Sequence, residues 1–481
     1  MLRIFITVLV LLWAETALAQ SFDEYSIQCN SKTKDTEVFI TACTWLIESG
    51  KLPDKGYVIS YRNRGLAYTE SRDYSKAIID FNKALQIDPN RAEIYVSRGY
   101  AYSRQRNDVQ AIKDYSAAID LNPDNSLAYK NRGLAYTRQG KIDLAIADYN
   151  EAIRVKPDNA NIYHFRGLVY LKKRSIDLAI KDLDKAIQLN SENADYYFFR
   201  GLAYVLEENY TRAISELTEA IRLNPEYVLA FNHRGDLYDE IEKYSEAMND
   251  FNEAIRLDPN NATAYNNRGR VYKDLGKHEK AIIEYTEAIR LDPNDADFYN
   301  NRGISYYNQG KTLLAVRDYN EAIHRDPDDG DAYYNRGDVF DDESKYDLAI
   351  LDYKAYIRLE PSDPDGYNSA AWLLATASDR KDRDGYDAVL YALKGVELAP
   401  KDVDILDTLG AAYVQAGQPE NALKAYLNTQ KVGGTERVKS DQIWLKEWGF
   451  YSGTVDGLAS KETEIALEKC IAAGCQMYVE E

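Results

Sequence analysis

The sequence predicts an all-α solenoid, a stack of helical hairpins, followed by a small helical domain at the C-terminus. An Arg-Gly pair recurs nine times at a spacing of 34 residues, small and aromatic residues recur within that period, and a proline closes almost every period. A strict period of this length is typical of repeats that bury their apolar faces against their neighbours. The pairs begin at Arg64, Arg98, Arg132, Arg166, Arg200, Arg234, Arg268, Arg302 and Arg336.

Residues 1–19 have the composition of a secretory signal peptide. Arg3 supplies the positive start, residues 4–13 are apolar but too few to span a bilayer, and residues 17–19 form an A-x-A cleavage site. We therefore predict cleavage after Ala19 and a periplasmic or secreted protein with no integral membrane segment.

Residues 20–57 are predicted to cap the first hairpin. Cys29 and Cys43 lie in this segment, and export favours a disulfide between them. On one continuous helix they would be ~21 Å apart, too far to bridge, so the chain must turn between them, near residues 30–35. Cys470 and Cys475 form a second local pair, which can bridge only if its helix ends near Gly474. A redox or metal role is the alternative, but the chain has no C-x-x-C motif.

Residues 58–363 form nine regular repeats, each numbered here from the residue seven before its glycine. Positions 4 and 11 are aromatic, position 8 is Gly, position 20 is Ala, and position 24 is Phe, Tyr or Leu. Positions 4, 8 and 11 share one helical face, and the small residues at 8 and 20 let two helices approach closely. A proline at position 32 ends the second helix in all repeats except the fourth. Each repeat is therefore an amphipathic hairpin.

This pattern resembles the tetratricopeptide repeat (TPR), whose hallmark is small and aromatic residues at these positions. The resemblance implies a right-handed superhelix of about eleven hairpins, because two divergent repeats follow over residues 364–431. Position 7 departs from the family, since Arg stands where Leu is usual, and an Asp or Glu accompanies it at position 23. We interpret these residues as an ion pair inside each repeat. A ladder of arginines that binds polyanions is the alternative.

Residues 435–481 do not follow the repeat and come after a Gly433-Gly434 break. They resemble the small peptidoglycan-binding-like domain of bacterial cell-wall enzymes. The matching positions are Gln442, Leu445, Gly449, Tyr451, Gly453, Asp456, Gly457, Thr463, Ala466 and Leu467. The resemblance implies peptidoglycan as a further partner, with Tyr451 and Asp456 as glycan-binding candidates. The alternative is a domain that only caps the solenoid.

The resemblance to TPR proteins also implies a concave groove lined by positions 2, 5, 9, 12 and 13 of the first helices. Repeats two to four present a basic surface, repeat five an apolar one, and repeats six to nine an acidic one. The predicted groove residues are Arg104, Lys130, Arg138 and Lys172, then Phe198, Leu202, Val205 and Leu206, then Asp236, Asp239, Asp274, Asp338 and Asp341. We expect a partner segment that is apolar at its centre and carries opposite charges at its ends. The alternative is that these faces are merely solvated.

Asparagine recurs at position 6 of five repeats. These residues are Asn63, Asn131, Asn267, Asn301 and Asn335. They resemble the asparagine ladder that holds an extended peptide backbone in the helical repeats of O-GlcNAc transferase. Packing or capping is the alternative role.

Composition narrows the function classes. The net charge of −19 argues against binding to nucleic acid or to an anionic membrane surface. The four histidines occupy unrelated repeat positions, and no phosphate-binding glycine loop or calcium-loop spacing occurs. We therefore expect no enzyme, no cofactor and no metal. Two functions remain: an exported scaffold that binds a protein or peptide, and a cell-envelope factor anchored to peptidoglycan.

Overall fold

The computed structural model describes residues 22–31, 35–378 and 383–475. The predicted signal peptide and its cleavage site lie outside the described residues. Regular structure in these three ranges is helical throughout, without a strand, so the predicted all-α class is confirmed. The chain divides into two compact units, and the boundary follows Ala230.

The N-terminal unit contains a two-helix cap and five repeats. The cap consists of α1 (residues 22–30) and α2 (Thr36–Glu48). The first helices of the repeats are α3 (Asp54–Glu70), α5 (Ala92–Arg104), α7 (Ser126–Arg138), α9 (Ala160–Lys172) and α11 (Ala194–Leu206). The second helices are α4 (Tyr74–Ile87), α6 (Asp108–Leu121), α8 (Ile142–Val155), α10 (Ile176–Leu189) and α12 (Tyr210–Leu223).

The C-terminal unit contains six hairpins and a terminal helix. The first helices are α13 (Val228–Glu240), α15 (Ala262–Asp274), α17 (Ala296–Tyr307), α19 (Gly330–Asp342), α21 (Pro364–Thr376) and α23 (Val403–Gln415). The second helices are α14 (Tyr244–Leu257), α16 (His278–Leu291), α18 (Thr312–Arg325), α20 (Tyr346–Leu359), α22 (Gly385–Leu398) and α24 (Pro419–Glu447), and α25 (Lys461–Ala472) follows.

The close approach within a hairpin requires the glycine at position 8. In repeat eight, a Cβ on Gly303 would lie 2.6 Å from Cε1 of Tyr319, the fully buried aromatic residue at position 24. In repeat four, Leu183 takes the place of the aromatic residue, and a Cβ on Gly167 would lie 3.2 Å from its Cγ. Glycine recurs at position 8 because the side chain at position 24 of the second helix packs directly against the backbone of the first helix there.

The predicted break at Gly433-Gly434 is a kink inside α24. Gly434 adopts φ 66° and ψ −153°, and helical structure continues to Glu447. The segment beyond the kink packs with α25 against the last hairpin, where Tyr426, Leu445, Tyr451 and Leu467 share one buried cluster. The C-terminal segment therefore shares a core with the repeat that precedes it.

Candidate functional site

Each arginine at position 7 binds the carboxylate at position 23 of its own repeat, as the sequence predicted. In repeat three, Nε and Nη2 of Arg132 each donate to one oxygen of Asp148 at 2.8 Å. The nine pairs are Arg64–Asp80, Arg98–Asp114, Arg132–Asp148, Arg166–Asp182, Arg200–Glu216, Arg234–Asp250, Arg268–Glu284, Arg302–Asp318 and Arg336–Asp352. These arginines are bound to internal acids, which contradicts the alternative of a polyanion ladder.

The third nitrogen of the same arginines reaches back to the preceding hairpin or the cap, a contact that the sequence analysis missed. Nη1 of Arg132 donates to Ser116 Oγ at 2.8 Å, and Nη1 of Arg64 donates to Thr44 of the cap at 2.9 Å. The other acceptors are Asn82, Asn150, Asp184, Asn252, Thr286 and Asn320. All the repeat acceptors stand at position 25, so one side chain joins two helices of its own repeat and one of the previous repeat.

The asparagines at position 6 mostly bind neighbouring parts of the protein. Asn63 Nδ2 donates to the carbonyl of Cys29 at 2.9 Å, and Asn267 Nδ2 donates to Asp236 at 2.7 Å. Asn301 and Asn335 donate to the asparagines at position 5 of the preceding repeats, at 3.1 and 3.0 Å. These contacts favour packing over a peptide-binding ladder. Asn131 instead lines a pocket on the first helices.

The predicted apolar surface of repeat five is smaller than expected. Phe198 is only 3% exposed, because its ring packs against Phe199 and against Tyr227, whose ring centroids lie 5.1 and 4.9 Å away. The assignment of Phe198 to an exposed groove was therefore wrong. Leu202 and Val205 are half-buried, and Leu206 is exposed.

The predicted basic residues differ in how they are neutralised. Arg138 binds Asp108 with both Nε and Nη2 and also donates to Ser103. Arg104 is exposed and donates to the hydroxyl of Tyr74, at 3.3 Å. Lys130 is half-buried without an ion-pair partner among the described residues, and burial lowers its pKa. Lys172 is exposed.

Two of the predicted acidic residues are already bound by one arginine. Arg270 donates from Nη2 to Asp236 and from Nε to Asp239, both at 2.8 Å. Burial raises the pKa of Asp236 to about 6, despite the opposing effect of Arg270. Asp239 is buried, and burial raises its pKa as well.

The remaining predicted acids lie on repeats seven and nine. Burial raises the pKa of Asp338 to about 6, and its Oδ1 accepts a hydrogen bond from the hydroxyl of Tyr353 at 2.8 Å. Burial also raises the pKa of Asp341, and the adjacent Asp342 accepts from Tyr307. Asp274 lies 3.2 Å from the ammonium of Lys273. These carboxylates face internal donors and one another, and no cluster with metal-ligand composition occurs among the described residues.

Two adjoining pockets on the first three repeats were not predicted from the sequence. One pocket there is lined by Leu66, Tyr100, Leu127 and Lys130 among others, and a second pocket adjoins it, because Leu66 and Tyr100 line both. The second pocket also contains Arg62. Positions 5 and 9 of repeat one would have identified Arg62 and Leu66, had the groove positions been applied to that repeat.

The two cysteine pairs lie at the two ends of the chain. Cys29 and Cys43 form a disulfide with their Cα atoms 4.9 Å apart, in the buried core of the cap. Cys470 and Cys475 also pair, with Cα atoms 5.2 Å apart. The second bridge is possible because α25 ends at Ala472 and Gly474 adopts φ +77°.

The two glycan-binding candidates are used within the fold. Tyr451 is only 6% exposed, and its hydroxyl donates to the carbonyl of Thr454 at 2.9 Å. Asp456 is exposed, but its Oδ1 accepts from the backbone of Leu458 and from the side chain of Gln442. The fully buried Gln442 also accepts from the backbone nitrogens of Asp456 and Gly457. The loop motif is thus explained by the hydrogen bonds of one buried amide, and the buried Tyr451 does not present a sugar-binding surface.

Antiparallel helix pairs with a small residue at each close contact define an α-solenoid repeat protein. One family model, described as TPR repeat, matches residues 61–105, 109–140, 133–173, 235–276 and 269–310. Another, described as tetratricopeptide repeat, matches residues 166–228 and 300–364. Together these matches cover more than half of the sequence, and the chain belongs to the tetratricopeptide repeat family.

Solved structures of the same class are similar at low identity. A tetratricopeptide repeat protein from Parabacteroides merdae is 20% identical over 52% of this chain and 98% of its own, with a TM-score of 0.43. Yeast Tom70 is 16% identical over 88% of this chain and 96% of its own, with a TM-score of 0.39. PilF of Pseudomonas aeruginosa is 19% identical over 43% of this chain and 94% of its own, with a TM-score of 0.40. No curated protein matches the chain.

Within the described ranges, none of the helices combines the length and the apolar character that crossing a membrane requires.

Proposed function

We propose that this protein is an exported scaffold that binds a partner protein or peptide on the first helices of its repeats. Tetratricopeptide repeat proteins act as protein-interaction scaffolds. The observation that carries the proposal is a pair of adjoining pockets, one on the first helices of repeats one to three and the other between the cap and the first helices of repeats one and two. The arginines at position 7 are already bound within the fold, so they are not available to a partner. The side chains that line the two pockets are therefore the better candidates for partner contacts. The composition of residues 1–19 supports export.

Site-specific photo-cross-linking in the cell envelope tests this proposal. A photoreactive amino acid replaces Tyr100, which is 43% exposed in the pockets, and in a matched control it replaces Leu178, which is 47% exposed on a second helix. We expect a discrete protein adduct from position 100 and none from position 178. The absence of an adduct at position 100, or equal adducts at both positions, would contradict the proposal.

A second candidate function is attachment to peptidoglycan through the C-terminal domain. Tyr451 and Asp456 no longer support it, but a different feature does. Trp444 and Trp448 stack with ring centroids 5.3 Å apart and planes inclined by 23°, and Trp448 is 41% exposed. An exposed indole face packs well against the apolar face of a sugar ring.

Sedimentation with purified peptidoglycan tests this second function. Trp448→Ala should leave the protein in the supernatant, whereas Ile443→Ala, a change at a neighbouring residue that is 42% exposed, should not. If the wild-type protein does not sediment, or if both variants behave alike, the anchoring function is wrong.

A further inference from the structure

The groove of repeats one to three has an apolar floor. Ile59, Leu66, Tyr100 and Leu127 line the two adjoining pockets, and the larger pocket has a volume of about 800 Å³. Ile59 is 36% exposed, Tyr100 43% and Leu127 51%. Three first helices, α3, α5 and α7, therefore present side chains of large apolar area along one continuous surface of the N-terminal unit.

Two cations project from this apolar floor without an acid to neutralise them. Arg62 is half-buried, and its Nη1 donates to Asn63, but its buried Nε has no hydrogen-bond partner among the described residues. Lys130 is half-buried in the first pocket and has no ion pair within the described part of the chain. All nine arginines at position 7, in contrast, bind a carboxylate. A cation that loses water without gaining a partner destabilises the protein, so the missing partner points to a ligand.

A row of further cations follows the ends of the same helices. Arg104, Arg106 and Arg138 line a polar pocket with Ser103, where α5 and α7 end. Arg106, like Arg72 in repeat one, has a φ of +62°, a conformation that glycine adopts without strain and that glycine occupies in repeat three. The same turn position carries Arg174, Glu208, Glu242 and Ser344 at positive φ in other repeats, so what distinguishes repeats one, two and four is the basic character of the residue there.

The charge of this region is opposite to that of the protein. Residues 58–159, which form repeats one to three, contain 16 lysines and arginines and 13 aspartates and glutamates, a net charge of +3. The whole chain carries −19. Charge complementarity therefore favours an acidic partner at these repeats, and the apolar floor favours one whose acidic residues alternate with large apolar side chains.

We infer that the groove of repeats one to three binds an extended peptide segment in which acidic and large apolar side chains are interspersed. Carboxylates of the segment bind Arg62 and Lys130, and its apolar side chains cover Leu66, Tyr100 and Leu127. Such a ligand pairs with the two cations at the pocket surface and covers the apolar floor at the same time. A nucleic acid or polyphosphate would meet the cations but leave the apolar floor exposed. This inference rests on the proposed scaffold function and names the chemistry of its partner.

Peptide selection followed by affinity measurement tests the inference. A random dodecapeptide library displayed on phage is selected on the full chain, and the enriched peptides are synthesised for fluorescence anisotropy. We expect enrichment of Asp or Glu together with Leu, Ile or aromatic residues. We also expect the double substitution Arg62→Gln and Lys130→Gln to weaken binding at least about tenfold, as loss of desolvated charge pairs does.

The matched control removes the same charge elsewhere. Lys83→Gln and Lys113→Gln alter exposed lysines on the second helices α4 and α6, outside both pockets, and should change affinity by less than about twofold because exposed charges contribute little. Tyr100→Ser, at an exposed side chain, tests the apolar floor without threatening the fold. Glu70→Gln removes the exposed acid at the edge of the larger pocket and should tighten binding.

Several results would overturn the inference: no enrichment, enrichment of neutral or basic peptides, or equal losses in the groove and control variants. If the position 100 cross-link persists in the Arg62→Gln, Lys130→Gln variant, the scaffold function survives and the acidic-peptide assignment fails. If the wild-type chain yields no cross-link at all, the scaffold function itself fails.

Discussion

Repeats one to four and repeats six to nine carry opposite net charges and neutralise them differently. Residues 58–193 have a net charge of +5, whereas residues 228–363, an equal length, contain 17 cations and 29 acids, a net charge of −12. In the acidic repeats, Asp236, Asp239 and Asp338 are bound by internal donors. In the basic repeats, Arg62 and Lys130 form no ion pair with a carboxylate among the described residues. The three named acids of the acidic repeats are thus bound within the fold, whereas two cations of the basic repeats are not paired with an acid among the described residues.

Loss of Arg270 should destabilise the acidic repeats more than any other single change proposed here. Arg270→Met leaves Asp236 and Asp239 without their cation and should cost about 2 kcal/mol, below the usual value for buried pairs because the arginine side chain is 36% exposed. Arg104→Met in the basic repeats should cost less than about 0.5 kcal/mol. Hydrogen exchange of α13 and α15, compared with that of α5, measures the two effects. Equal costs would remove the distinction between the two surfaces.

The framework arginines should respond alike in both regions. Arg302→Lys and Arg98→Lys each lose the forked contact to a carboxylate and the third contact to the preceding repeat, at a cost of about 1–2 kcal/mol. Urea unfolding followed by circular dichroism provides the measurement. A large cost in only one region would mean that the repeats differ in their framework as well as in their grooves.

The acidic repeats should become more stable in mild acid. The pKa of Asp338 is raised to about 6 in the folded protein, so the folded state binds a proton more tightly than the unfolded state does. Protonation of Asp338 therefore contributes its full stabilisation below the ordinary pKa of aspartate. This contribution to the free energy of unfolding is lost as the pH rises through about 6. Between pH 7 and pH 5, exchange in α19 should slow after correction for the intrinsic pH dependence, by less than about tenfold because the side chain is partly solvated.

Asp338→Asn is the control for this pH effect. The amide imitates the neutral acid and can still accept from Tyr353, so the variant should lose much of the pH response of α19. An unchanged response in the variant would assign the effect to other groups.

The smallest expected effect concerns the turn arginines. Arg106→Gly removes a side chain from a backbone with φ +62° and should stabilise repeat two by about 0.5–1 kcal/mol. If Arg106 serves the basic surface, the same variant should bind the selected acidic peptide less tightly. A thermal melt and the anisotropy assay give the two readouts. Destabilisation by the glycine would show that the arginine supports the fold.

Much of the fold could be predicted because the same pattern of small, aromatic and proline residues occurs in nine consecutive repeats. The pairing of Arg132 with Asp148 follows from an arginine and an acid that recur at two fixed positions of every repeat and lie at similar heights in a hairpin. The contact from Arg132 to Ser116 could not be predicted in the same way. Its acceptor varies among Asn, Ser, Thr and Asp, so the pattern hides a contact that only the packing of consecutive repeats reveals.

The groove was harder to predict because a residue's position on a helix fixes the direction of its side chain, but not whether another segment buries that side chain. Phe198 occupies a groove position, yet Tyr227 from the following turn covers its ring. Asp236 also occupies a groove position, but Arg270 of the next repeat binds it. Tyr451 matched a family motif, and that motif proved to describe a hydrogen-bonded loop around Gln442. Each of these three wrong predictions involves a contact with another segment of the chain, which the residue pattern used for the prediction does not include.

The hydrogen bond from each arginine at position 7 to position 25 of the preceding repeat allows whole repeats to be gained or lost. At the junctions described above, the acceptor is a small hydroxyl, an amide or a carboxylate, and any of these groups can receive the same guanidinium nitrogen. Deleting or duplicating one whole 34-residue segment therefore leaves each arginine with a competent acceptor. Unequal recombination between neighbouring repeats would preserve the junctions while altering which groove residues follow one another, so the binding surface can be reordered without redesigning the stack.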